Sequence, residues 1–506
     1  MRKGFTPQGK RNIMLDTFLT EFDAIVNSIS GFLWTYILIA ALIIIGVYFT
    51  LRTGLVQIRY VGEMIRVLKH GIVGHKTKGR EISSFQAFCI STASRVGVGN
   101  IAGIAIAVTL GGPGAIFWMW VIALIGSATG FVESTLAQIY KVPFKDGGYH
   151  GGPAYYIKYA LKQPLVAAIF AILISITFAL TYNSVQANTI TSSIVTSFEL
   201  SELCGGYETV ITGLTLCVFT SMVIFGGAHR IARVTEFLVP IMATIYLVIA
   251  AVIFVKNIEG VPGMFALIFH DAFNPQAAIG GGLGAVILTG IKRGLFSNEA
   301  GEGSVPNAAA CATTSHPVKQ GLIQAFGVFV DTLMICTASA VIVLLSGEYQ
   351  LGPDAPTGIA LIQSSLSTQL GSWASYFMTF TITLFAFSSI VGNYYYGEVN
   401  IGFLTKNPLV MTIFRVFVVG MVFFGSVASL NVVWDLADLF MALLSITNLY
   451  AILRLGKYAF LALRDYKEQQ ALGIKEPVFK ASTMPNQDGV ASWGNEEKYL
   501  RQANEE

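Results

Sequence analysis

Apolar runs of about the length of a membrane-crossing helix recur through the whole chain. A transmembrane helix needs roughly 20 mostly apolar residues to cross a hydrocarbon layer about 30 Å thick. Runs of this kind predict eleven spans near residues 31–52, 83–109, 114–139, 165–193, 208–227, 232–255, 276–298, 318–346, 373–404, 407–428 and 432–455. The composition agrees, because 54% of the 506 residues are hydrophobic and 12% are charged, against about 25% charged in soluble domains. We therefore expect an all-α polytopic membrane protein.

Two of these spans are each interrupted by a short glycine-rich polar stretch. One stretch is Val96–Asn100, in the second span, and the other is Gly294–Gly301, at the end of the seventh. Within hydrocarbon, unwound backbone is tolerated only where it is buried in protein or lines a cavity. Breaks at matching places in two halves of a chain point to a substrate and ion site near the bilayer midplane. The pattern therefore indicates a secondary transporter.

The positions of the breaks also divide the chain. With the first span set aside, the other ten form two halves of five spans, and an odd number inserts the second half upside down. We expect a five-plus-five inverted repeat with one extra N-terminal helix and a broken first helix in each repeat. The predicted units are an N-terminal tail (1–30), the extra helix with a basic amphipathic linker on the cytoplasmic membrane surface (31–82), the first repeat (83–255), an extracellular connection (256–275), the second repeat (276–455) and a C-terminal tail (456–506), flexible after Arg464.

The distribution of lysine and arginine predicts the orientation. If the first span runs from outside to inside, the inside loops carry nearly all of the cations between spans and the outside loops hold only Lys256. The positive-inside rule then places the C-terminus in the cytoplasm and the N-terminus outside. The N-terminal tail, with Arg2, Lys3, Lys10 and Arg11, argues against this orientation, but many loops outweigh one tail. We expect a multi-pass protein of the cell membrane.

Other common kinds of site have no support in the sequence. The cysteines Cys89, Cys204, Cys217, Cys311 and Cys336 form no CxxC pair, so neither a disulfide framework nor a metal site is indicated. No GxxxxGK[ST] phosphate loop occurs, so nothing supports ATP as the driving force. We expect no cofactor, no nucleic-acid partner and a protein that works as a monomer in the lipid bilayer.

Several motifs, in the right order, resemble the alanine or glycine:cation symporter family. They are Gly97–Gly103, Gly111–Trp120, Asp146-Gly147 with Gly151–Tyr156, Gly294–Gly301 and Tyr395–Glu398. The resemblance covers roughly residues 30 to 460. It implies the leucine-transporter type of fold and the symport of a small neutral amino acid with Na⁺ or H⁺ by alternating access.

A broken helix offers both kinds of group that an amino-acid zwitterion needs. The half-helix that begins after the first break presents the N–H groups of Gly97, Val98 and Gly99, at the positive end of its dipole, to a carboxylate. The carbonyls freed on the other side can hold a cation. The resemblance implies that sodium binds the carbonyls of Ala93 and Val96 and the hydroxyls of Ser388 and Ser389. Alternatively, these two hydroxyls bond back to their own helix.

The second break and the third helix of the first half add candidate substrate contacts. Phe296 can serve as a lid or wall, and Ser297 and Asn298 as polar contacts. Amides recur in Asn183–Asn188 and are costly in lipid, so we expect them to face a cavity or another helix. The resemblance implies that Gln186 contacts the substrate, and a hydrogen bond between helices is the alternative.

Two positions depart from the common pattern of the family. Asn393 precedes the Tyr-Tyr-Gly-Glu element where many members have tryptophan, and this change would enlarge the pocket for glutamine or serine in place of alanine or glycine. Arg95 replaces a small polar residue before the first break. A buried arginine needs a partner, so Arg95 either pairs with Glu133 or Asp331 or approaches the substrate. We favour a structural or gating ion pair.

Acidic residues in or beside the spans are weaker candidates. Five of them could either relay protons or serve a structural role, and we favour the structural role. They are Glu133, Glu236, Asp331, Asp435 and Asp438. Glu299 and Glu302 are expected near Lys292 and Arg293, where a charge network could latch the inward gate.

The resulting prediction is a sodium-coupled symporter that brings alanine, glycine, serine or glutamine into the cell. A proton-coupled symporter or an exchanger of the same fold, with a glutamine preference set by Asn393, is the alternative within transport. A membrane enzyme that uses Glu133 or Asp331 and an ion channel are competing classes. Neither carboxylate is matched with a nucleophile or metal in the sequence, and two unlike breaks favour a binding site over a channel filter.

Overall fold

The computed structural model describes residues 21, 24–73, 81–143, 148–200, 204–226, 228–274, 282–352 and 355–496. Most of the predicted N-terminal tail, residues 497–506, the Asp146-Gly147 motif and the side chain of Glu236 lie outside the described residues. The described chain is almost entirely helical, with one antiparallel pair of two-residue strands, β1 (Val142–Pro143) and β2 (Tyr149–His150). The all-α prediction is confirmed.

The helices follow the predicted spans closely. The first part of the chain forms α1 (Ala24–Thr53), α2 (Val56–Arg59), α3 (Val61–Val73) and α4 (Ser84–Arg95). The rest of the first half forms α5 (Val98–Gly111), α6 (Gly114–Ile139), α7 (Pro153–Tyr159), α8 (Pro164–Phe198), α9 (Glu208–Ile224) and α10 (Ala228–Lys256). The remainder forms α11 (Val261–Ala272), α12 (Gly282–Asn298), α13 (Val305–Cys311), α14 (Pro317–Ser346), α15 (Gly358–Leu370), α16 (Trp373–Leu404), α17 (Pro408–Val427) and α18 (Leu430–Ala471).

Not every predicted span meets the length and apolarity of a membrane crossing. Eight of the described helices do, or nine if α11 and the end of α10 (Pro240–Lys256), which are bent by 103°, count as one span. α9 and α12 have 17 residues each and lie at the predicted spans 208–227 and 276–298. A helix therefore occupies each predicted span, while the total of about eleven crossings stays a prediction.

Both predicted breaks separate two half-helices. Between α4 and α5, Val96 has a ψ of 91° and Gly97 has a φ of −150° and a ψ of −143°, so both leave the helical region. Between α12 and α13 the chain turns through Glu299, Gly301 and Gly303, whose φ angles are 55°, 99° and 83°. Glycine adopts positive φ without steric cost, so the two glycines make this turn possible. Glu299 is held in a conformation that residues other than glycine rarely adopt.

The half-helices lie at the centre of the molecule. α4 packs against α10, α13 and α16, and α5 packs against α12, α14 and α15. In its most apolar stretch, the segment Ser84–Gly111 is 94% buried inside the protein. Interrupted backbone exposes polar groups that hydrocarbon cannot satisfy, so this burial is what allows the break to exist at membrane depth.

Two long helices contain π-helical turns beside the breaks. These turns are Ser175–Tyr182 in α8 and Phe329–Cys336 in α14. Turns of this kind inside an α-helix often occur at functional sites. They carry Tyr182 and Asp331, both of which contact residues of the site described below. The apolar pattern of the sequence predicts helix at both places and does not reveal the local change in winding.

The basic linker contains the amphipathic helix that the sequence predicts. Met64 and Val67 of α3 are buried, whereas Arg66 and Lys69 are exposed. The buried face packs against α14. Placement of this helix on the cytoplasmic membrane surface stays a prediction.

The C-terminal end differs from the prediction. α18 continues to Ala471, well past the predicted end at residue 455, and the chain after it packs against the protein. Phe479, Met484 and Val490 are buried, and the N–H of Phe479 donates to the carbonyl of Ser315 at 2.9 Å. The predicted flexibility is therefore wrong for the residues up to 496. A few apolar side chains anchor this mostly polar segment to the rest of the protein. Their spacing is irregular, so it shows neither the helical nor the strand period by which a sequence reveals a packed segment.

Candidate substrate and cation site

Oxygen atoms from α4 and α16 meet where α4 ends. The Ser389 hydroxyl lies 2.8 Å from the carbonyl of Ala93, 3.4 Å from that of Val96 and 3.1 Å from that of Phe385 on its own helix. Carbonyls in the last turn of a helix have no partner within it, so those of Ala93 and Val96 are open to another helix. The structure thus brings together three of the four residues expected to bind the cation.

Ser388 bonds back to its own helix, which was the alternative to a cation contact. Its hydroxyl donates to the carbonyl of Phe385 at 2.8 Å, within α16. The same carbonyl contacts Ser389, so Ser388 borders the same group of oxygens. This group, called the cation group below, consists of the uncharged carbonyls of Ala93, Val96 and Phe385 and the hydroxyls of Ser388 and Ser389. Hard cations prefer oxygen ligands, and a monovalent cation needs no carboxylate among them, so the group suits sodium.

Gly97 allows the two helices and α8 to approach at the break. A Cβ atom at this position would lie 2.3 Å from the Ser389 hydroxyl oxygen and 3.0 Å from Oε1 of Gln186. Carbon and oxygen atoms do not approach to 2.3 Å without a covalent bond, so only glycine permits this geometry. The contact links the cation group directly to the backbone expected to bind the carboxylate.

The N–H groups of the first break are held by side-chain amides. The N–H of Val98 donates to Oε1 of Gln186 at 3.2 Å, and the N–H of Gly97 donates to Oδ1 of Asn100 at 3.0 Å. Gly99 lies in the first turn of α5, where N–H groups have no intrahelical partner. Gln186 therefore makes a hydrogen bond between helices, which was the alternative to a substrate contact. Its partner is the Val98 N–H, which is itself expected to bind the substrate.

Aromatic side chains cover this break from the side of α12. The Phe296 ring lies 4.4 Å from that of Tyr182 and 4.7 Å from that of Trp434, centroid to centroid. A Cβ atom at Gly99 would lie 2.5 Å from Cδ1 of Phe296, so the ring rests on the backbone of the break. Phe296 therefore lies against the first break, where the sequence predicts a lid or wall, and the sequence does not predict its neighbours Trp434 and Tyr182.

A buried ion pair lies beyond the aromatic wall. Nη2 of Arg293 is 2.5 Å from both carboxylate oxygens of Asp438, and Nζ of Lys292 is 3.4 Å from one of them. The Arg293 guanidinium also stacks over Trp434 at 4.5 Å. The pair joins α12 to α18, with Arg293 immediately before the Gly294–Gly301 stretch and one to two helical turns before α12 ends. On its far side opens a cavity of about 250 Å³, lined by Thr109, Thr289, Asn431 and Asp435 among others.

Glu299 does not join the charge network expected of it. Its carboxylate accepts hydrogen bonds from Ser94 at 2.7 Å and Ser304 at 2.5 Å, while Lys292 and Arg293 pair with Asp438 instead. The expected latch of the inward gate between Glu299 and these cations is therefore wrong. Lys292 and Arg293 instead line, with Asp438, the cavity at the ends of α5 and α18 that are expected to be extracellular. The reason is geometric, because Lys292 and Arg293 still belong to the helix α12, whereas Glu299 follows its end and turns away.

Glu302 and Glu133 hold the second break to its surroundings. Glu302 accepts a hydrogen bond from the Tyr182 hydroxyl at 3.1 Å. Glu133 accepts from the N–H of Gly301 at 3.3 Å and from the amide of Asn448 at 2.8 Å, and that amide also donates to the carbonyl of Gly301. Glu133 thus ties α6, the second break and α18 together, which is the structural role expected.

Arg95 forms the ion pair that the sequence predicts. Of the two candidate partners, Glu133 and Asp331, the structure pairs it with Asp331. Its Nε is 3.6 Å from Oδ2 of Asp331, and its Nη2 donates to the side-chain oxygen of Gln324 at 3.1 Å. A Cβ atom at Gly327 would lie 2.0 Å from Nη2 of Arg95, so the glycine makes room for the guanidinium. Arg95 therefore faces α14 and connects α4 to it.

Ser297 also serves the connection to α14. The amide of Asn100 donates to the Ser297 hydroxyl at 2.7 Å and to the carbonyl of Asp331 at 3.2 Å. The Ser297 hydroxyl is 3.3 Å from that of Thr332. These contacts join the first break, the second break and the π-helical turn of α14, and the expected contact of Ser297 with substrate stays a prediction.

Asn393 belongs to a chain of polar side chains that crosses the site. Its amide nitrogen donates to the side-chain oxygen of Asn183 at 3.1 Å, and its own oxygen lies 2.6 Å from the Ser94 hydroxyl. Ser94 is also bonded to Glu299. The chain therefore runs from α8 through α16 and α4 to the second break. Asn183 lies in the amide run noted above, whereas nothing in the sequence singles out Ser94.

Sequence relatives place these features in a known family. Residues 19–481 match the model of the sodium:alanine symporter family. A probable sodium/glutamine symporter of Bacillus subtilis (strain 168) is 50% identical over 470 residues, which are 93% of this chain and 95% of that protein. A sodium/alanine symporter of Methanococcus maripaludis is 36% identical over 445 residues, covering 86% of this chain and 95% of that protein.

A solved structure shares the fold. The crystal structure of MhsT in complex with L-phenylalanine matches with a TM-score of 0.52 and 15% sequence identity, over 79% of this chain and 99% of that chain. That protein has the leucine-transporter type of fold, so the predicted fold class is confirmed. Since the family model covers most of the chain and the relatives align over nearly their whole length, this chain belongs to the sodium:alanine symporter family, as a membrane transporter that couples an amino acid to sodium and not as an enzyme.

Proposed function

We propose that the protein carries glutamine, and other small neutral amino acids less well, into the cell together with sodium by alternating access. The observation that carries the choice of glutamine is the amide chain of Asn183 and Asn393 beside the first break. A relative 50% identical to this chain is named a probable sodium/glutamine symporter, which supports the same choice.

The first break couples sodium to the amino acid. The Val96 carbonyl borders the cation group and the Val98 N–H faces the expected carboxylate position, two residues further along the same unwound backbone. A cation that holds the carbonyl orients the N–H, and a carboxylate on the N–H orients the carbonyl. Each ligand then tightens the binding of the other by the same factor, and a typical coupling of about 1 to 3 kcal/mol corresponds to roughly 5- to 150-fold.

Gln186 takes the place of the substrate carboxylate in the present arrangement. Its amide oxygen accepts from the Val98 N–H at 3.2 Å, as a carboxylate oxygen would. A substrate therefore displaces this oxygen, and the freed amide can then donate to the carboxylate. The exchange keeps the buried N–H satisfied in both states, which matters because an unpaired buried donor costs about 1 to 3 kcal/mol.

The glutamine side chain matches the groups around Asn393. A carboxamide offers one acceptor oxygen and two donor hydrogens, and Asn183, Asn393 and Ser94 offer both donors and acceptors. Alanine would leave these groups bonded only to one another. A site built to bond a substrate amide therefore favours glutamine over an aliphatic side chain of the same size.

The gates follow from the same geometry. The Arg293–Asp438 pair and the Phe296–Trp434 wall separate the break from the cavity of about 250 Å³ on the side expected to be extracellular. Opening of this gate admits sodium and the amino acid. The opposite side opens after the gate has closed again.

The test is uptake of radiolabelled glutamine and alanine into proteoliposomes, with sodium and with potassium in its place. We expect sodium-dependent uptake with glutamine preferred. The variant Asn393→Leu should reduce glutamine uptake by roughly tenfold and leave alanine uptake within about twofold, because only glutamine loses a hydrogen bond.

Alanine uptake reports whether the variant is folded and active. Equal losses for both substrates would show that Asn393 does not select the side chain. Glutamine uptake that is indifferent to sodium would contradict the cation group at Ser389.

A further inference from the structure

A basic groove lies outside the transport site, at the end of the molecule that is expected to be cytoplasmic. Its cations are Arg52 at the end of α1 and Lys457, Arg464 and Lys467 on α18, and its floor includes Phe460, Leu461 and Leu463. The groove encloses about 520 Å³. It lies between the extra N-terminal helix and the last helix, where the transport mechanism assigns no role to any of its residues.

The positive charge of this groove is poorly neutralised by the protein. Among the described residues, no ion pair joins Arg52, Lys457 or Lys467 to a carboxylate. Arg464 approaches Glu468 at 3.8 Å, but about 70% of each side chain is exposed, so water screens the pair and it contributes little. The nearby Glu63 is engaged by Arg66 at 2.7 Å. The groove therefore presents several like charges that an external anion would stabilise.

Aromatic rings hold two of the cations in place. The Arg52 guanidinium lies 5.3 Å from the centroid of Phe460, and Nζ of Lys467 lies 5.2 Å from that of Tyr60. Arginine presents a planar fork of donors that matches phosphate oxygens. Because these side chains are already ordered by the rings, less conformational entropy is lost when they bind an anion.

The groove lies at the ends of two predicted spans, where the phosphates of a lipid leaflet are expected. Arg52 is the last residue of the first predicted span, and Lys457 follows the last predicted span by two residues. Residues four apart on a helix share a face, and Tyr48 and Leu453 precede Arg52 and Lys457 by four. Tyr48 is 40% exposed and Leu453 is 48% exposed, so an apolar surface continues from the groove toward the membrane centre.

We propose that this groove binds the headgroup of an anionic phospholipid, whose acyl chains lie along the exposed apolar surface of α1 and α18. Basic pockets between transmembrane helices on the cytoplasmic side are suited to such headgroups. The phosphate neutralises cations on two helices at once, and it thereby fastens the extra helix to the last helix. A free phosphate would satisfy the cations but would leave the apolar surface unused.

The test uses purified full-length protein and native mass spectrometry with phosphatidylglycerol and with phosphatidylcholine of the same acyl chains. We expect phosphatidylglycerol to bind more tightly, with an affinity that falls as potassium chloride rises because salt screens the charges. The triple variant Arg52→Gln, Lys457→Gln, Lys467→Gln should bind phosphatidylglycerol on the order of 100-fold more weakly, at about a fivefold loss per cation.

The matched control removes three exposed lysines from the same side of the protein: Lys406, Lys475 and Lys480, each changed to glutamine. This control should bind phosphatidylglycerol like the unaltered protein. Equal losses in both triple variants, or equal binding of the two lipids, would overturn the proposal. Displacement of the lipid by inorganic phosphate at comparable concentration would overturn the lipid assignment and leave a free anion as the ligand.

Discussion

Three glycines set how closely the helices of the site approach one another. Gly97 lies against Ser389 and Gln186, Gly99 lies under the Phe296 ring, and Gly327 makes room for the Arg95 guanidinium. At each position an added methyl group would come within 2.5 Å of a neighbouring atom. These residues act by having no side chain, so their importance shows only when the neighbours are known.

Gly97→Ala should abolish sodium-dependent uptake. The added Cβ atom would lie 2.3 Å from the Ser389 hydroxyl oxygen, so α4 and α16 must separate and the cation group is lost. Uptake into proteoliposomes measures the effect. Gly420→Ala, in α17, is the control because a Cβ atom there meets nothing within 4 Å, and it should transport normally. Normal transport by the Gly97 variant would mean that the break relaxes without loss of the site.

The two neighbouring serines of α16 should differ in effect. Ser389→Ala removes a hydroxyl that contacts carbonyls of α4, whereas Ser388→Ala removes one bonded within its own helix. Hydrogen bonds and ligands to charged groups contribute about 1.5 to 3 kcal/mol. The sodium concentration for half-maximal uptake should therefore rise by roughly tenfold or more for Ser389→Ala and by less for Ser388→Ala. The reverse order would move the cation away from Ser389.

Interruptions and charged contacts connect helices both within one half of the chain and between the two halves. The first break joins α4 and α5 to α16 through Ser389, to α8 through Gln186 and to α14 through Asn100. The second break is held to α6 and α18 by Glu133. Polar contacts of this kind are the means by which helices recognise one another in a membrane, where apolar side chains gain little by leaving lipid.

The Arg293–Asp438 pair should hold α12 against α18 and so keep the gate closed, and the effects of changing the two residues should be coupled. Asp438→Asn leaves a buried guanidinium without its counter-charge, and breaking a buried pair by removing one partner costs about 3 to 5 kcal/mol. We expect a lower thermal unfolding temperature and reduced uptake.

The double variant Arg293→Gln, Asp438→Asn should recover part of the stability, because the buried guanidinium is then removed together with its counter-charge. The recovery is partial since Lys292 still loses its contact with Asp438. Thermal unfolding of the unaltered protein, the single variants Arg293→Gln and Asp438→Asn and the double variant forms a double-mutant cycle. Additive effects of the two single changes would show that the pair is not coupled.

At the scale of the whole molecule, the segment after α18 closes the end of the protein expected to be cytoplasmic. The Trp493 side chain donates to the carbonyl of Gln138 at 3.0 Å and covers the amine of Lys141 at 4.6 Å from its ring centroid. Lys141 in turn donates to the carbonyl of Ala312, just after α13, at 2.9 Å. The C-terminal segment thus fastens α6 to the chain that links α13 and α14.

The buried amine of Lys141 should make stability depend on pH. Burial lowers its pKa to about 7, although Cys311 and Glu496, which face it together with the Tyr149 ring, act in the opposite direction. Since the ordinary lysine pKa is 10.5, the unfolded chain binds more protons between pH 7 and that value, and stability rises with pH across this window. The slope is at most about 1.4 kcal/mol per pH unit.

Thermal unfolding at pH 7, 8 and 9 measures this effect. Lys141→Met should flatten the rise with pH, and Lys406→Met, at an exposed lysine, should leave it unchanged. A slope that is the same in all three proteins would show that Lys141 is solvated in solution.

Apolar length and glycine-rich interruption predicted the helices and both breaks, because both are local consequences of hydrocarbon as a solvent. The family followed from the resemblance of several motifs and from the match of residues 19–481 to the family model. The sequence also predicted Ala93, Val96, Ser389 and Phe296, which the structure brings together around the first break, and it named Asp331 as one of two partners for Arg95. The choice between Asp331 and Glu133, the pairing of Arg293 with Asp438 and the docking of the C-terminal segment were decided by tertiary structure. The physical reason is that charge and hydrogen-bonding capacity are properties of a residue, whereas the partner that satisfies them is set by which helices pack together.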